Sequence, residues 1–368
     1  MAERIGILGG GQLGRMLALA GIPLGLTFRI LDDSPDAPAA VVAEQMCGPM
    51  DQAATLDAFA QGLHCATFEF ENVLVGSVEH LLARVPVYPG ALALAKSQDR
   101  LPEKELFRSL QIMTAPFMPV RTLDDLREAV TAIGSPALLK TRRFGYDGKG
   151  QYPIRSKTEV SSVWERMGGH PLILEGWVPF DRELSQVSVR SRGGQIKHYP
   201  LVENHHRKGI LQRTIAPAPG IENDDHPLAI QSRQAMEKTM TALNYVGVMA
   251  IEWFQVGNEL IANEMAPRVH NSGHWTMDGA VTSQFENHLR AIMGWELGST
   301  HLRQPALMIN LIGDHRPAAD WLSLPAAKLH LYGKSPRKGR KLGHVNLIGD
   351  SMDDLLEMAE SVREWLPD

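Results

Sequence analysis

Cysteine is scarce in this chain of 368 residues, which contains only Cys47 and Cys65. Without a CxxC pair a structural zinc site is not expected, and because both thiols lie in apolar segments we expect small buried side chains. No apolar run approaches the ~18 residues of a membrane span, and no basic stretch followed by a long apolar one opens the sequence. We therefore expect a cytoplasmic protein without a signal peptide or a membrane partner.

An excess of charge of one sign is also lacking. Lys and Arg number 37 against 42 Asp and Glu, and the net charge of −5 excludes a general polyanion binder, so nucleic acid is not an expected partner. Hydrophobic residues make up 44% and charged residues 21% of the chain, the mix of an ordinary folded protein. At roughly 100–200 residues per domain, the length predicts two or three domains.

The front of the chain alternates between strands and helices. A strand at Arg4–Leu8, a glycine-rich turn and a helix at Gln12–Gly21 are followed by strands at 27–31 and 65–70. This βαβ order predicts an α/β domain with a doubly wound parallel sheet. The later segments predict a mixed α+β body, with a helix over 96–110, a connector at 116–119, strands at 195–201, 246–255 and 259–265, and a last helix over 352–365.

A glycine-rich turn joins the first strand to the first helix. Gly9, Gly11 and Gly14 form a GxGxxG pattern, and Asp32 follows where the ribose-binding acid of a dinucleotide fold would stand. This pattern alone favours a nicotinamide or flavin oxidoreductase. Backbone amides at a helix N-terminus attract any phosphate, however, so the turn fits a dinucleotide, a nucleotide monophosphate or neither.

A second glycine-rich segment, GYDGKGQ at 145–151, follows an apolar strand that ends at Lys140. Its amides and ammonium group suit a mobile loop that closes over phosphates, although Asp-Gly is also the signal of a plain hairpin turn. Glu175 follows another apolar strand, where its carboxylate can reach a ribose, and Glu183 opens the next strand. Each glutamate alone is equally typical of a solvated strand end.

Two acids, Glu252 and Glu264, lie within apolar strands of one predicted hairpin. A connecting loop with an odd number of residues puts both carboxylates on one face, whereas a two-residue turn at 257–258 puts them on opposite faces. If they face each other, their like charges require a cation, and Mg²⁺ suits two carboxylates together with substrate phosphates. The alternative is two separate solvated glutamates.

Segments rich in hydrogen-bond donors follow this hairpin. The run RVHNSGHWT at 268–276 lacks strand or helix periodicity, as functional loops often do. A catalytic Ser/His pair at Ser272 is conceivable, but the GxSxG elbow is absent. A basic cluster later in the chain indicates either a clamp for a substrate phosphate or a solvated turn. It consists of Lys334, Arg337, Lys338, Arg340 and Lys341.

These motifs resemble the ATP-grasp superfamily and, within it, the N5-carboxyaminoimidazole ribonucleotide synthetase family. The matching segments are GILGGGQLGRML, GYDGKGQ, YVGVMAIEWF, NEMAPRVHNSGHWT, MINLIG and GRKLGHVNL. NEMAPRVHNSGHWT is the most specific, because related ligases usually lack RVHNSGHW. The resemblance implies an ATP-grasp fold with a Rossmann-like N-terminal domain over 1–95, an ATP-grasp body over 96–300 with a lid at about 118–180, and a small C-terminal domain over 301–368.

The activity implied by the resemblance is a carboxylation in purine biosynthesis. ATP would phosphorylate bicarbonate, and the exocyclic amine of 5-aminoimidazole ribonucleotide would take up the carboxyl group, directly from carboxyphosphate or as released CO₂. The implied cofactors are ATP and Mg²⁺, with Mn²⁺ as a second metal, and the implied assembly is a homodimer. A nicotinamide-dependent oxidoreductase, an idle nucleotide-binding regulator and a ligase for formate or another acid are the alternatives.

The resemblance also assigns roles to individual residues. Arg268, Lys140 and His270 would act in catalysis, and Glu252 and Glu264 would hold the metal. The ribonucleotide and bicarbonate would be bound by Gln12, Leu13, Glu69, Arg268, His270, Asn271, Ser272, Lys334 and Arg340, with Glu71 as a further candidate for ribose. ATP would be bound by Arg100, Lys140, Gly145, Tyr146, Asp147, Gly148, Lys149, Gly150, Gln151, Glu175, Gly176, Trp177, Val178, Glu183, His206, Asn263 and Glu264.

Two positions depart from the pattern of that family. Phe144 stands where a glycine often precedes the loop tyrosine, which would stiffen the lid. Lys149 replaces the usual arginine, which keeps the charge but loses the planar fork.

Overall fold

The computed structural model describes residues 3–145 and 149–365. Its first unit consists of β1 (Arg4–Leu8), α1 (Gln12–Gly21), β2 (Thr27–Asp32), β3 (Glu44–Cys47), α2 (Ala53–Ala60), β4 (Cys65–Phe68), α3 (Val75–Leu82) and α4 (Ala91–Ser97). The four strands form a parallel sheet in the order β3-β2-β1-β4. The doubly wound α/β domain predicted from the βαβ pattern is therefore confirmed.

The middle of the chain forms two further sheets. Its elements are α5 (Arg100–Ser109), β5 (Phe117–Val120), α6 (Leu123–Ile133), β6 (Ala137–Thr141), β7 (Gln151–Ile154), α7 (Val160–Met167), β8 (Leu172–Gly176), β9 (Arg182–Arg190), β10 (Ile196–His198), β11 (Val202–Arg207), β12 (Ile210–Ala216), α8 (Pro227–Ala242), β13 (Gly247–Val256), β14 (Glu259–Ala266), α9 (Thr276–Gly279) and α10 (Gln284–Met293). Strands β5-β8-β6-β7 form a small antiparallel sheet, packed on α6 and α7.

The C-terminal elements continue the large sheet of the middle unit. They are β15 (Ala306–Ile312), α11 (Ala318–Leu322), β16 (Ala327–Leu331), β17 (Lys341–Ile348) and α12 (Met352–Ser361). Because β15 pairs with β12, one sheet of nine strands runs in the order β14-β13-β9-β11-β12-β15-β17-β16, with β10 attached to β9. The predicted C-terminal unit thus extends the body's sheet.

One hydrophobic core joins all three units. Leu17 of α1, Leu289 of α10 and Met308 of β15 belong to the same cluster of buried side chains. At the conventional ~25 cal/mol per Å² of buried apolar surface, such a shared core opposes separation of the units. It fixes the N-terminus of α1 close to the large sheet.

Four predicted elements differ from the structure. The helix predicted over 96–110 is two helices, α4 and α5, because Asp99 caps α5 by accepting the amide of Leu101. The connector predicted at 116–119 is strand β5, which pairs with β8 despite Pro119. The strand predicted over 195–201 shortens to β10, and the last helix stops at Ser361 before a short 3-10 turn at Arg363–Trp365.

The two cysteines occupy different environments. Cys65 in β4 is buried, as expected, whereas Cys47 at the end of β3 is exposed, so the prediction for Cys47 is wrong. Strand β3 lies at the edge of its sheet, where an apolar sequence environment does not ensure burial. Within residues 3–145 and 149–365, every helix is too short or too polar to cross a lipid bilayer.

Candidate active site

A cavity of about 630 Å³ opens where the three units meet. Of the described residues predicted for the site, its wall includes Gln12, Leu13, Glu69, Glu71, Arg100, Lys140, Gly145, Lys149, Gln151, Glu183, His206, Glu252, Asn263, Glu264, Arg268, His270 and Asn271. Those that do not line it are Gly150, Glu175, Gly176, Trp177, Val178, Ser272, Lys334 and Arg340. Tyr146, Asp147 and Gly148 lie outside the described residues.

Glu252 and Glu264 stand directly opposite each other on β13 and β14. The turn at 257–258 has only two residues, which in a regular ladder would put the acids on opposite faces. A bulge in β14 at Asn263 adds one residue and shifts the register, so that Glu252 pairs with Glu264. The prediction that a two-residue turn puts Glu252 and Glu264 on opposite faces is therefore wrong, because the bulge brings the two glutamates onto the same face.

The electrostatics of this acid pair fit a divalent cation. Burial and the charge of Glu264 raise the pKa of Glu252 to about 7. Burial opposes ionisation of Glu264 as well, but the Arg100 guanidinium, whose Nη1 lies 2.9 Å from Oε2, lowers the pKa of Glu264. Among the described residues no group of three or more His, Cys, Asp or Glu side chains could hold a metal. Two carboxylates that await further oxygen ligands from a substrate suit Mg²⁺.

Lys140 reaches the cavity from β6 above a buried ion pair. Its Nζ lies 3.0 Å from Oε2 of Glu175, and Nζ of Lys104 lies 3.5 Å from the same oxygen. Burial alone would raise the pKa of Glu175, but Lys104 and Lys140 outweigh it and lower the pKa to about 2. The carboxylate of Glu175 faces these lysines, contrary to the expectation that it reaches a ribose.

Arg268 follows β14 and forms a partly buried ion pair with Glu71, in which Nε of Arg268 donates to Oε2 of Glu71. Burial acts to raise the pKa of Glu71, yet the guanidinium lowers it to about 2. Nη1 of Arg268 also donates to the carbonyl of Val269 at 3.0 Å. The guanidinium is therefore held at the cavity wall by a carboxylate that an incoming anion could replace.

His270 and Ser272 are in contact, but the geometry does not support a nucleophilic serine. Ser272 is fully buried and Nδ1 of His270 lies 2.8 Å from its Oγ. The amide of Ser272 points at the same Nδ1, so this nitrogen is an acceptor and Nε2 carries the proton, 3.4 Å from Glu252. Burial and the charge of Arg268 lower the pKa of His270 to about 3, which makes it a neutral donor.

Backbone amides of the first glycine turn bind the carboxylate of Glu69. Both oxygens of the buried Glu69 carboxylate are bound, Oε1 by the amide of Gly11 and Oε2 by that of Gly14 at 2.7 Å. Asp32 accepts the amide of Gly10 at 2.7 Å, so it too is engaged within the protein rather than presented to a ribose. A pyrophosphate would have to displace Glu69, which argues against a dinucleotide at this turn.

Lys334 of the basic cluster contacts the first turn of α1, although the two segments lie near opposite ends of the sequence. Nζ of Lys334 donates to Oε1 of Gln12, and burial lowers the pKa of Lys334 to about 8. The N–H groups of Gln12 and Leu13 in the first turn of α1 have no acceptor within the helix. Arg340 instead donates to the carbonyl of Ser335 at 3.2 Å, and neither Lys334 nor Arg340 lines the cavity itself. The predicted phosphate clamp is thus brought together for Gln12, Leu13 and Lys334 but not for Arg340.

Two other predicted residues are held by polar partners. Nδ1 of His206 lies 2.6 Å from Oε2 of Glu183. Burial alone would lower the pKa of His206, but the hydrogen bond to the Glu183 carboxylate outweighs it, and the pKa is raised. Asn271 exchanges amide hydrogen bonds with Asn310 of β15 at 3.0 and 2.7 Å. The C-terminal strand therefore fixes the orientation of Asn271.

Several residues on the cavity wall were not predicted from the sequence as site residues. The rings of Phe180 and Phe254 stack at 4.6 Å between their centroids, beside apolar Leu138 and Leu211. Nothing in the sequence marks them, because Phe254 lies in a strand, where a phenylalanine is usually part of a core, and Phe180 lies in the connection between β8 and β9. Lys341 of the basic cluster also lines the wall, whereas it was predicted only as a member of that cluster.

The described part of the second glycine loop contributes Gly145, Lys149 and Gln151 to the cavity wall. Phe144 has a φ of 61°, a left-handed conformation that glycine adopts without strain, and its ring is 68% exposed. The structure accommodates phenylalanine in this conformation, with its side chain mostly exposed and on the cavity wall.

Comparison with known proteins identifies this arrangement. Residues 1–98 match the ribonucleotide synthetase preATP-grasp domain, 105–285 the ATP-grasp domain, and 306–358 the phosphoribosylaminoimidazole carboxylase C-terminal domain. The N5-carboxyaminoimidazole ribonucleotide synthase of Pseudomonas aeruginosa is 47% identical over 344 residues, 94% of each chain. The chain belongs to the N5-carboxyaminoimidazole ribonucleotide synthase family.

Solved members of the N5-carboxyaminoimidazole ribonucleotide synthase family superpose on nearly the whole chain. The synthetase of Thermus thermophilus is 51% identical with a TM-score of 0.95, covering 99% of both chains. An enzyme of Aspergillus clavatus, solved with ADP and 5-aminoimidazole ribonucleotide, is 28% identical with a TM-score of 0.91, covering 99% of this chain and 98% of that one. The ATP-grasp fold and the family predicted from the motifs are confirmed, and the oxidoreductase alternative finds no support.

Proposed function

We propose that this protein is an ATP-dependent ligase that carboxylates 5-aminoimidazole ribonucleotide with bicarbonate, giving N5-carboxyaminoimidazole ribonucleotide, ADP and phosphate in purine biosynthesis. The observation that carries the proposal is the shared cavity. It joins the acid pair Glu252 and Glu264 to the segment that contains Arg268, and it extends to the first turn at Gln12. The Aspergillus clavatus relative supports both ligands, since it was solved with ADP and the ribonucleotide.

The nucleotide end of the cavity lies between β6 and the large sheet. Arg100, Lys140 and Lys149 supply positive charge for the polyphosphate, and His206 with Glu183 supplies polar partners beside it. The stacked rings of Phe180 and Phe254 give an apolar surface for a base. Gly176, Trp177 and Val178 are proposed to contribute through their backbone, and Glu175 by holding Lys140.

Glu252 and Glu264 are proposed to hold Mg²⁺, with Asn263 beside them. Bound between these carboxylates, Mg²⁺ would supply positive charge that offsets the negative charge of the phosphates during phosphoryl transfer to bicarbonate. Lys140 and Arg100 add fixed positive charge around the same point, which favours the transition state without rearrangement at the moment of reaction.

Arg268, His270 and Asn271 are proposed to bind the bicarbonate-derived group. The guanidinium of Arg268 can exchange Glu71 for the carboxyphosphate anion, and the neutral His270 offers its Nε2 proton as a donor. The exocyclic amine of the ribonucleotide then forms a C–N bond to the carboxyl carbon, either by displacing phosphate from carboxyphosphate or by adding to CO₂ that carboxyphosphate has released. In both routes the C–O bond to phosphate breaks, and the departing phosphate accepts the amine proton. Gln12, Leu13 and Lys334 are proposed to hold the ribonucleotide phosphate at the far end, with Glu69 and Glu71 near the ribose.

Phosphate release from Mg-ATP tests this proposal directly. We expect release that depends on both bicarbonate and 5-aminoimidazole ribonucleotide, and no binding of NADH in a parallel titration. Release unaffected by the ribonucleotide, or its absence with both substrates present, would contradict the proposed reaction. A cytoplasmic location and a homodimer stay predictions, which fractionation and light scattering would check.

A further inference from the structure

The alignment of Glu252 with Glu264 depends on one irregularity in an edge strand. Strand β14 forms the edge of the large sheet, and the extra residue at Asn263 interrupts its pairing with β13. Without the bulge Glu252 would pair with Asn263, and Glu264 would point to the other face. Bulges disrupt the local ladder, so the backbone groups they release need other partners.

Lys104 of α5 supplies those partners for the bulge carbonyls. Its side chain is 1% exposed, and its Nζ donates to the carbonyls of Ala262 at 3.1 Å and Asn263 at 2.7 Å. In a regular strand successive carbonyls point to opposite edges, so a single ammonium group would not meet both. The bidentate contact is therefore specific to the bulged conformation.

Glu103, the preceding residue of α5, binds the other side of the same segment. Its Oε1 accepts the amide of Met265 at 2.7 Å, and its side chain is buried. Burial raises the pKa of Glu103 to about 8. Helix α5 thus binds β14 directly before and directly after Glu264. Neither Lys104 nor Glu103 was recognised in the sequence.

We propose that Lys104, together with Glu103, is a positioning residue that fixes the bulge at Asn263 and thereby keeps Glu264 opposite Glu252. The consequence for metal binding rests on the proposed function of the acid pair. Lys104 does not line the cavity and is not proposed to contact ATP. Its 3.5 Å separation from Glu175 gives a rival role, in which it only neutralises that carboxylate.

Lys104→Met tests the proposal, because it keeps an unbranched side chain, one atom shorter than lysine, and removes the ammonium group. We expect amide hydrogen exchange of the segment 259–266 to accelerate by about tenfold or more, since each bulge carbonyl loses a charged donor. Binding of Mn²⁺ alone, followed by its electron paramagnetic resonance signal, should weaken by about tenfold or more for the same reason. The kcat should fall while the KM for the ribonucleotide stays within about twofold.

Arg108→Gln is the matched control, because it removes an exposed cation one turn further along α5. It should leave the exchange of 259–266 and the affinity for Mn²⁺ at wild-type values. If folded Lys104→Met retains wild-type exchange in this segment, or binds Mn²⁺ normally, the proposal is overturned and the role towards Glu175 is favoured. Uniformly faster exchange with normal Mn²⁺ binding would equally contradict it, since that pattern reports general destabilisation.

Two variants of Glu103 test the positioning role if Lys104→Met does not fold. Glu103→Gln keeps an oxygen that accepts the amide of Met265, whereas Glu103→Leu removes it. We expect the first to resemble wild type and the second to show faster exchange and weaker Mn²⁺ binding; equal behaviour of the two would overturn the proposal. Exchange and Mn²⁺ binding do not require turnover, so these results stand apart from the phosphate-release test of the proposed function.

Discussion

The two ends of the cavity are built in different ways. At the metal end, Glu252 and Glu264 belong to one hairpin, and Arg100 and Lys104 of the neighbouring helix bind the second strand of that hairpin. At the ribonucleotide end, Gln12 and Lys334 come from opposite parts of the chain and meet only because all units share a core. The first end is set by local register, and the second by packing over long sequence distances.

This difference predicts how each end responds to change. A substitution at the metal end removes charge from groups that are proposed to surround the transferred phosphoryl group, so it should act mainly on kcat. A substitution at the ribonucleotide end removes binding that is present in both ground and transition states, so it should act mainly on KM.

The largest effect is expected for Glu264→Gln, which leaves Glu252 without a second carboxylate. We expect the rate of phosphate release to fall by at least about a hundredfold, the scale for losing one charge-stabilising group. Glu259→Gln, an exposed position on the same hairpin, serves as the control and should behave like wild type. Near-normal turnover of Glu264→Gln would remove the metal assignment.

The next effect is expected for Lys334→Ala at the other end. Loss of a charge-assisted hydrogen bond to phosphate should raise the KM for the ribonucleotide by about tenfold or more, with the KM for ATP nearly unchanged. Lys338→Ala, an exposed basic residue of the same segment, should change neither constant. A larger change in the KM for ATP than in that for the ribonucleotide would contradict the difference between the two ends.

The pH dependence should follow Lys334 as well. Burial lowers its pKa from the ordinary lysine value to about 8, so the ammonium is present below that pH and is lost as pH rises through it. We expect kcat/KM for the ribonucleotide, which reports the free enzyme, to decline above about pH 8. In Lys334→Arg the side chain stays charged, and this decline should disappear. An unchanged profile in that variant would assign the decline to another group.

The smallest effect is expected for Phe144→Gly in the second glycine loop. The substitution relieves a left-handed conformation that costs a bulky residue about 1 kcal/mol, and it removes an exposed ring. The KM for ATP should change by less than about threefold, because Gly loses more chain entropy on ordering and offsets the relief. Phe144→Leu keeps a side chain at this φ and is the control. A tenfold loss in the glycine variant alone would show that the ring contacts the nucleotide.

Regular periodicity made much of the fold predictable. The strands predicted at 4–8, 27–31 and 65–70 and the helix predicted at 12–21 agree with β1, β2, β4 and α1 to within two residues, because apolar runs and a glycine turn specify them locally, whereas β3 and α3 were not predicted. The hairpin of β13 and β14 was also found, but its register was not, since no residue type signals the bulge at Asn263. The break between α4 and α5 was missed although Asp99 is a typical helix cap, because the charged residues around it suit an uninterrupted helix.

The site residues also separate into those that a local motif specifies and those that depend on contacts between distant segments. Positions in distinctive motifs, such as Arg268 and His270, lie on the cavity wall. The pairings that hold such groups were not predicted: Glu69 on the first turn and Glu175 beneath Lys140 were named only as ligand-binding residues, and Asn310 beside Asn271 was not named at all. Charge pairing in a buried site depends on which side chains the fold brings together, and a single sequence does not contain that information.

A crystal structure with ADP, Mg²⁺ and 5-aminoimidazole ribonucleotide would test the central claim most directly. The account predicts Mg²⁺ at about 2.0–2.1 Å from carboxylate oxygens of both Glu252 and Glu264. It also predicts the ribonucleotide phosphate at the amides of Gln12 and Leu13, beside Lys334. A metal bound by neither glutamate, or a ribonucleotide phosphate outside this cavity, would contradict it.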